Sequence, residues 1–192
     1  MTSGATMMPA AAPQTIPGVP PWFRRFLCTA CHTATALSPE LAARLATALF
    51  VMPGRRFIAP EDRRILRKAE VRRFDLAHGF LRVFHWGESG PLVLLAHGWS
   101  SRAARLVDFV EPLMSAGFQV VAFDAPGHGA SSGFRSDLPR YRSALHALAS
   151  ELRPVNGIIG HSFGARATIL FLPSGLCPEV RGVTLIGMPP DG

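Results

Sequence analysis

The chain has 192 residues, 48% of them hydrophobic and 17% charged, with a formal net charge of +7. That apolar content excludes a wholly disordered chain, and the length suits one domain with a sizeable core. Three cysteines, Cys28, Cys31 and Cys177, are too few and odd in number for a disulfide scaffold.

Residues 1–21 are rich in Pro, Ala, Thr and Gly without apolar periodicity, and read as a disordered leader. Residues 22–70 read as a helical extension. Cys28-Thr29-Ala30-Cys31-His32 matches the spacing of covalent haem attachment, but nothing around it resembles a small cytochrome. The two cysteines are expected as small, semi-buried side chains on a helix. Ser38-Pro39-Glu40 is a helix start: a hydroxyl N-cap, a proline at the first helical position and an acid in the first turn. Leu41, Leu45, Leu49 and Met52 then share one stripe, and Pro53-Gly54 ends the helix. A second, charged helix is expected from about Pro60 to Ala69.

Positive charge is densest from Arg55 to Arg73, where Glu61, Asp62 and Glu70 interrupt it, and Lys68 is the only lysine. The run reads as a solvated helix face with i,i+4 charge pairs. No nucleic-acid signature accompanies it, so no nucleic-acid partner is expected. Membrane-surface association is the subordinate reading. His32, Pro39, Glu40 and Arg44 interrupt the apolar stretch from Phe26 to Met52 before it reaches the ~20 residues of a span. The cytoplasm is the default location.

From residue 71 to 192 the pattern becomes that of an α/β core. Residues 72–77 and 80–86 predict two strands around a His78-Gly79 turn. Apolar runs at 92–96, 118–123, 155–160 and 182–186 predict strands buried on both faces. Helices are expected near 103–116, 141–152 and 163–171. Alternating buried strands and helices imply a mostly parallel sheet with helices on both faces, whose ligands bind at the carboxyl ends of the strands.

Three motifs fall at those ends. Gly160-His161-Ser162-Phe163-Gly164 follows a strand and opens a helix, the context in which G-x-S-x-G makes a nucleophile elbow. Glycines at its flanks permit the tight turn, and the helix start presents free N–H groups, so the Phe163 N–H can face a developing oxyanion. His97-Gly98-Trp99 follows the strand ending at Ala96. The Trp99 N–H is the second oxyanion-hole candidate, Gly98 permits close approach, and His97 reads as a loop-orienting partner. The third motif runs from Asp124 to Ser132. Asp124 and His128 read as structural, because as a catalytic pair both would precede the nucleophile.

Together these motifs resemble the α/β-hydrolase superfamily, in particular its esterase- and lipase-like members, over roughly 71–192. The resemblance implies Ser162 as nucleophile, Trp99 and Phe163 as oxyanion-hole donors, and Gly160, His161, Gly164, His97 and Gly98 as elbow and loop support. It also implies a Ser–acid–His triad, a small acyl-ester substrate, and no metal or organic cofactor. Serine at the elbow disfavours the family's haloalkane dehalogenases and epoxide hydrolases, which use aspartate there.

The sequence departs from that pattern after the elbow. No histidine follows His161, and the only later acids are Glu179 and Asp191. Asp191 is the acid candidate. The expectation is a fold truncated after about the sixth of eight strands, inactive by itself and left with an apolar sheet edge. The alternatives are a non-catalytic α/β-hydrolase-like binding protein and an acyltransferase.

Overall fold

The computed structural model of the protein describes residues 20–54, 58 and 60–188. The chain divides into two compact units, 1–48 and 49–192.

The first unit holds helix α1 (Pro21–Leu37) and most of α2 (Pro39–Phe50). Pro21 at the first position of α1 supplies a fixed φ where no N–H is needed. Ser38 separates the two helices. Its backbone is extended, and its Oγ accepts the Leu41 N–H at 3.2 Å as the expected N-cap. No residue of α1 or α2 is buried. Cys28 and Cys31 are exposed rather than semi-buried, because they project from the polar side of α1.

The second unit is built on six strands: β1 (Glu70–Leu76), β2 (Gly79–Trp86), β3 (Leu92–Ala96), β4 (Gln119–Asp124), β5 (Val155–His161) and β6 (Gly182–Ile186). They lie in the order β1-β2-β4-β3-β5-β6. The β1–β2 hairpin is antiparallel and joins β4 antiparallel, whereas β4, β3, β5 and β6 run parallel. The continuous apolar runs become the central strands because both faces of the sheet are covered there. Leu92, Leu94, Ala96, Val121 and Phe123 pack with α5 (Leu138–Glu151) and α6 (Phe163–Phe171). Val93, Leu95, Val120 and Ala122 point the other way, toward a 3₁₀ turn (Ala103–Phe109) and α4 (Val110–Ser115). Successive residues of one strand thus feed two cores, as the period of two requires.

Two elements differ from expectation. The single helix expected at 103–116 is a 3₁₀ segment followed by a short α-helix. Pro112 has no N–H to donate to the Asp108 carbonyl, so the α-helix can include it only in a new first turn, which begins at Val110. The charged helix expected from about Pro60 to Ala69 is α3 (Pro60–Leu66), which buries Ile65 and Leu66 against the second core, and the Trp86 Nε1–H donates to the Ile65 carbonyl at 3.0 Å. A buried indole N–H needs such a partner.

β6 is a strand as expected but not a buried one. It pairs only with β5 among the described residues, and Val183 and Leu185 remain more than a third exposed. Beside it a groove of about 480 Å³, lined by Leu113, Phe118, Ile159 and Thr184 among others, leaves that face of the sheet open. An apolar strand with an unpaired edge templates association with another chain. The chain is therefore expected to aggregate at high concentration. A Val183→Lys, Leu185→Lys variant should delay the onset of light scattering on concentration without lowering the thermal midpoint. Unchanged onset would place the association elsewhere.

Candidate active site

The turn between β5 and α6 is set by three close approaches. Ser162 lies at φ 51°, ψ −112°, one of two non-glycine residues at positive φ among those described, the other being Ser100 at φ 49°. Such a conformation costs ~1–3 kcal/mol and persists only where the surroundings over-determine it. A Cβ on Gly160 would stand 2.7 Å from the Ala165 Cα, and one on Gly164 would strike the carbonyl oxygens of Ala96 and His97. Only glycine at both positions lets α6 close on the ends of β3 and β5. The Ser162 N–H donates to the Ile186 carbonyl at 2.8 Å, and the Ser162 carbonyl accepts the Arg166 N–H at 3.1 Å, the first bond of α6. The half-buried serine is thus held between β6 and α6.

The loop after β3 lies against this turn. A Cβ on Gly98 would sit 3.3 Å from the Ser162 Cβ and 3.0 Å from the His161 Nδ1. His97, itself buried, holds the loop at two points. Its Nδ1 lies 2.7 Å from the Gly98 carbonyl, and its Nε2 accepts the Ala125 N–H at 3.0 Å. These partners assign the proton to Nδ1. Within a trans peptide the C=O and the following N–H point in opposite directions. Holding the Gly98 carbonyl therefore fixes the direction of the Trp99 N–H. Among the described residues, neither the Trp99 nor the Phe163 N–H donates to another protein group. The Tyr141 hydroxyl donates to the His97 carbonyl at 2.7 Å, and burial pushes its pKa well above the ordinary value of 10.0, so it stays a neutral donor.

Asp124 ties the next two loops together. Its Oδ1 accepts the Ala103 N–H and its Oδ2 the Ala130 N–H, both at 2.8 Å, while the Ser131 hydroxyl donates to its carbonyl. Burial pushes the Asp124 carboxyl up, against the two N–H groups and Arg102, which pull it down. The buried His128 ring places Nδ1 3.0 Å from the Pro126 carbonyl, and its Nε2 accepts the Ser100 N–H at 3.2 Å. Both imidazoles are therefore spent on loop backbone. Burial lowers His97 and His128 from 6.5 to about 4 each, so both are neutral near pH 7.

Five contributors escape the motif reading. The Phe50 ring stacks on Trp99 at 5.4 Å and 11° between planes, and Trp99 in turn meets Phe163 edge-on at 5.0 Å. The Gly54 N–H donates to the Ser100 Oγ at 3.1 Å, and the Ser136 N–H to the Val51 carbonyl at 2.8 Å. Residues 50–54 thus form a strap across the loops that follow β3 and β4. No local signal in the sequence announces it. Tyr141 had one faint signal, as the only tyrosine of the chain.

No histidine among the described residues is hydrogen-bonded to the Ser162 Oγ, and Asp191 lies outside the described residues. Among the described residues no group of three or more His, Cys, Asp or Glu side chains is arranged to hold a metal ion. No helix of the described residues is long and apolar enough to cross a membrane.

A family model described as "Alpha/beta hydrolase family" matches residues 93–192. The human "Serine hydrolase-like protein" is 38% identical over 95 residues, covering 45% of this chain and 45% of that protein. Among solved structures, the N-acyl homoserine lactonase AidH, as an E219G mutant complexed with N-hexanoyl homoserine, superposes with a TM-score of 0.56 at 26% identity, covering 64% of this chain and 46% of AidH. A thioesterase domain from the curacin biosynthetic pathway gives a TM-score of 0.59 at 23% identity over 65% of this chain and 48% of that domain, a likeness of fold alone. The chain spans less than half the length of each of these proteins.

The geometry generates two tests. Gly164→Ala should lose about 2 kcal/mol or more of stability, because its Cβ meets backbone that cannot retreat. An unchanged urea midpoint would mean that α6 does not close on β3 as described. The second test concerns pH. Between about pH 6.5 and about pH 4 the unfolded chain binds protons at His97 and His128 that the folded chain does not, so stability is full above this window and falls as pH drops through it. Asp124 acts in the opposite direction, because burial raises its carboxyl above the ordinary value of 3.8 and the folded chain then keeps a proton that the unfolded chain releases. Urea titrations should give a lower unfolding free energy at about pH 5 than at about pH 7, with a shallower slope in His128→Gln. Equal slopes in the wild type and His128→Gln would contradict a neutral, buried His128 ring.

Proposed function

Because the chain belongs to the alpha/beta hydrolase family, we propose that it carries the nucleophile and oxyanion hole of a serine hydrolase acting on carboxylic esters or thioesters. The observation that carries this reading is the approach of Gly98 to Ser162, where an added Cβ would lie 3.3 Å from the Ser162 Cβ; it supports the N–H groups of the residues that follow each, Trp99 and Phe163, as the oxyanion-hole donors. In the reaction the Ser162 Oγ attacks the acyl carbonyl and loses its proton to a base. The carbonyl oxygen gains negative charge and is met by the two N–H groups, with the start of α6 behind one of them. The bond to the leaving alcohol or thiol breaks, an acyl-serine remains, and water cleaves it.

The lactone chemistry in the name of AidH supports an ester-class substrate, since a lactone is a cyclic ester. His97 and His128 are spent on loop bonds, so neither serves as the base for Ser162. The aromatic wall of Phe50, Trp99 and Phe163 suits a flat or apolar acyl group.

A diffusible base tests the reading on the chain as it stands. With p-nitrophenyl acetate, peptide mass mapping should find an acyl adduct on Ser162 that accumulates faster as neutral imidazole is added, and none in Ser162→Ala. A folded chain that acquires no adduct at any imidazole concentration would favour the non-catalytic binding reading.

A further inference from the structure

Helix α1 presents an apolar face that its own unit leaves open. Trp22 and Phe26 are 68% and 64% exposed, and Leu37 is 81% exposed, with Phe23 and Leu27 beside them. At about 100° per residue these five side chains occupy an arc of about 140° on the helix. Arg24 and Arg25 flank that arc, each about 60° beyond one edge, and Cys28, Cys31, His32 and Thr35 fill the remaining side. The helix carries no acidic residue. α2 repeats the pattern in shorter form, with Leu41, Leu45 and Leu49 exposed and Arg44 beside the stripe.

We propose that α1, aided by α2, docks this protein on an anionic phospholipid surface, lying in the plane of the interface. Two features select a bilayer over a protein groove. Aromatic rings crowd the first turn of α1, where Trp22 meets Phe23 edge-on at 5.7 Å, and such amphipathic rings rest at headgroup depth. The arginines border the apolar arc on both sides, so their stems lie along the hydrocarbon boundary while the guanidinium groups reach lipid phosphate. The helix is too short and too polar to cross, which leaves the interfacial position. The net charge of +7 adds long-range attraction to an anionic leaflet. The inference goes beyond the proposed hydrolase reading and does not depend on it.

The test uses the whole chain with vesicles of phosphatidylcholine and phosphatidylglycerol, against phosphatidylcholine alone. The expected result is co-sedimentation with the anionic vesicles, weakened by added salt. A Trp22→Ser, Phe26→Ser variant should bind about tenfold or more weakly. Neither side chain is buried in the protein, so its circular dichroism should not change. Wild-type tryptophan emission should shift to the blue on binding, and Trp22→Phe should bind but lose most of that shift. Equal binding by the wild type and the double-serine variant would assign the attraction to the basic run at 55–73 and overturn the proposal. Association of the chain with itself through α1, without vesicle binding, would overturn it in favour of a second copy.

Discussion

One buried imidazole organises the carboxyl end of the sheet. His97 reaches the Gly98 carbonyl with one nitrogen and the Ala125 N–H with the other, while its own carbonyl receives the Tyr141 hydroxyl. The loop after β3, the loop after β4 and helix α5 therefore meet at one residue. This works only with the ring neutral, since a protonated imidazole has no lone pair for the Ala125 N–H. The burial that lowers its pKa to about 4 keeps the ring neutral, and its two backbone partners then select the Nδ1–H tautomer. A lost bond at this ring would leave a buried donor or acceptor unpaired, at a cost of ~1–3 kcal/mol.

The positive φ of Ser162 is sustained by the same arrangement. Gly164 brings α6 against the carbonyls of Ala96 and His97, so the end of β3 is both the anchor of the Gly98 loop and the surface on which the elbow closes. Ser100, the second strained residue, is held by His128 on its N–H and by Gly54 on its hydroxyl. Ser162 directly follows β5 and Ser100 lies in the loop after β3, and at both positions backbone groups converge from several loops and hold the strained conformation.

What the sequence made readable were features with a local cause. The apolar runs read as strands because both faces of the sheet are covered, and the three glycine-rich motifs lie at strand ends because tight turns need glycine there. The strap of Phe50 and Gly54 was not readable, because its partners Trp99 and Ser100 lie 46 or more residues away and no spacing rule links them. The packing of Ile65 and Leu66 on Trp86 was hidden for a similar reason: the charged residues of α3 masked its two buried positions. Cys28 and Cys31 misled because small side chains suggest burial, whereas the wider pattern of α1 puts them opposite its aromatic arc.

Apolar side chains meet two fates in this chain. In the sheet, Leu94 and Leu95 are fully buried, whereas on α1 and α2 residues of equal hydrophobicity face outward. β6 stands between these extremes, and its position matters more than its exposure suggests. The Ser162 N–H is received by the Ile186 carbonyl, and Gly187 lies beside the His161 ring. The elbow is thus braced on one side by the well-packed end of β3 and on the other by β6, a strand with no buried residue. Opening free energies vary across a fold with local burial, so the motion that first disturbs Ser162 is expected to begin at β6 rather than at the Gly98 loop.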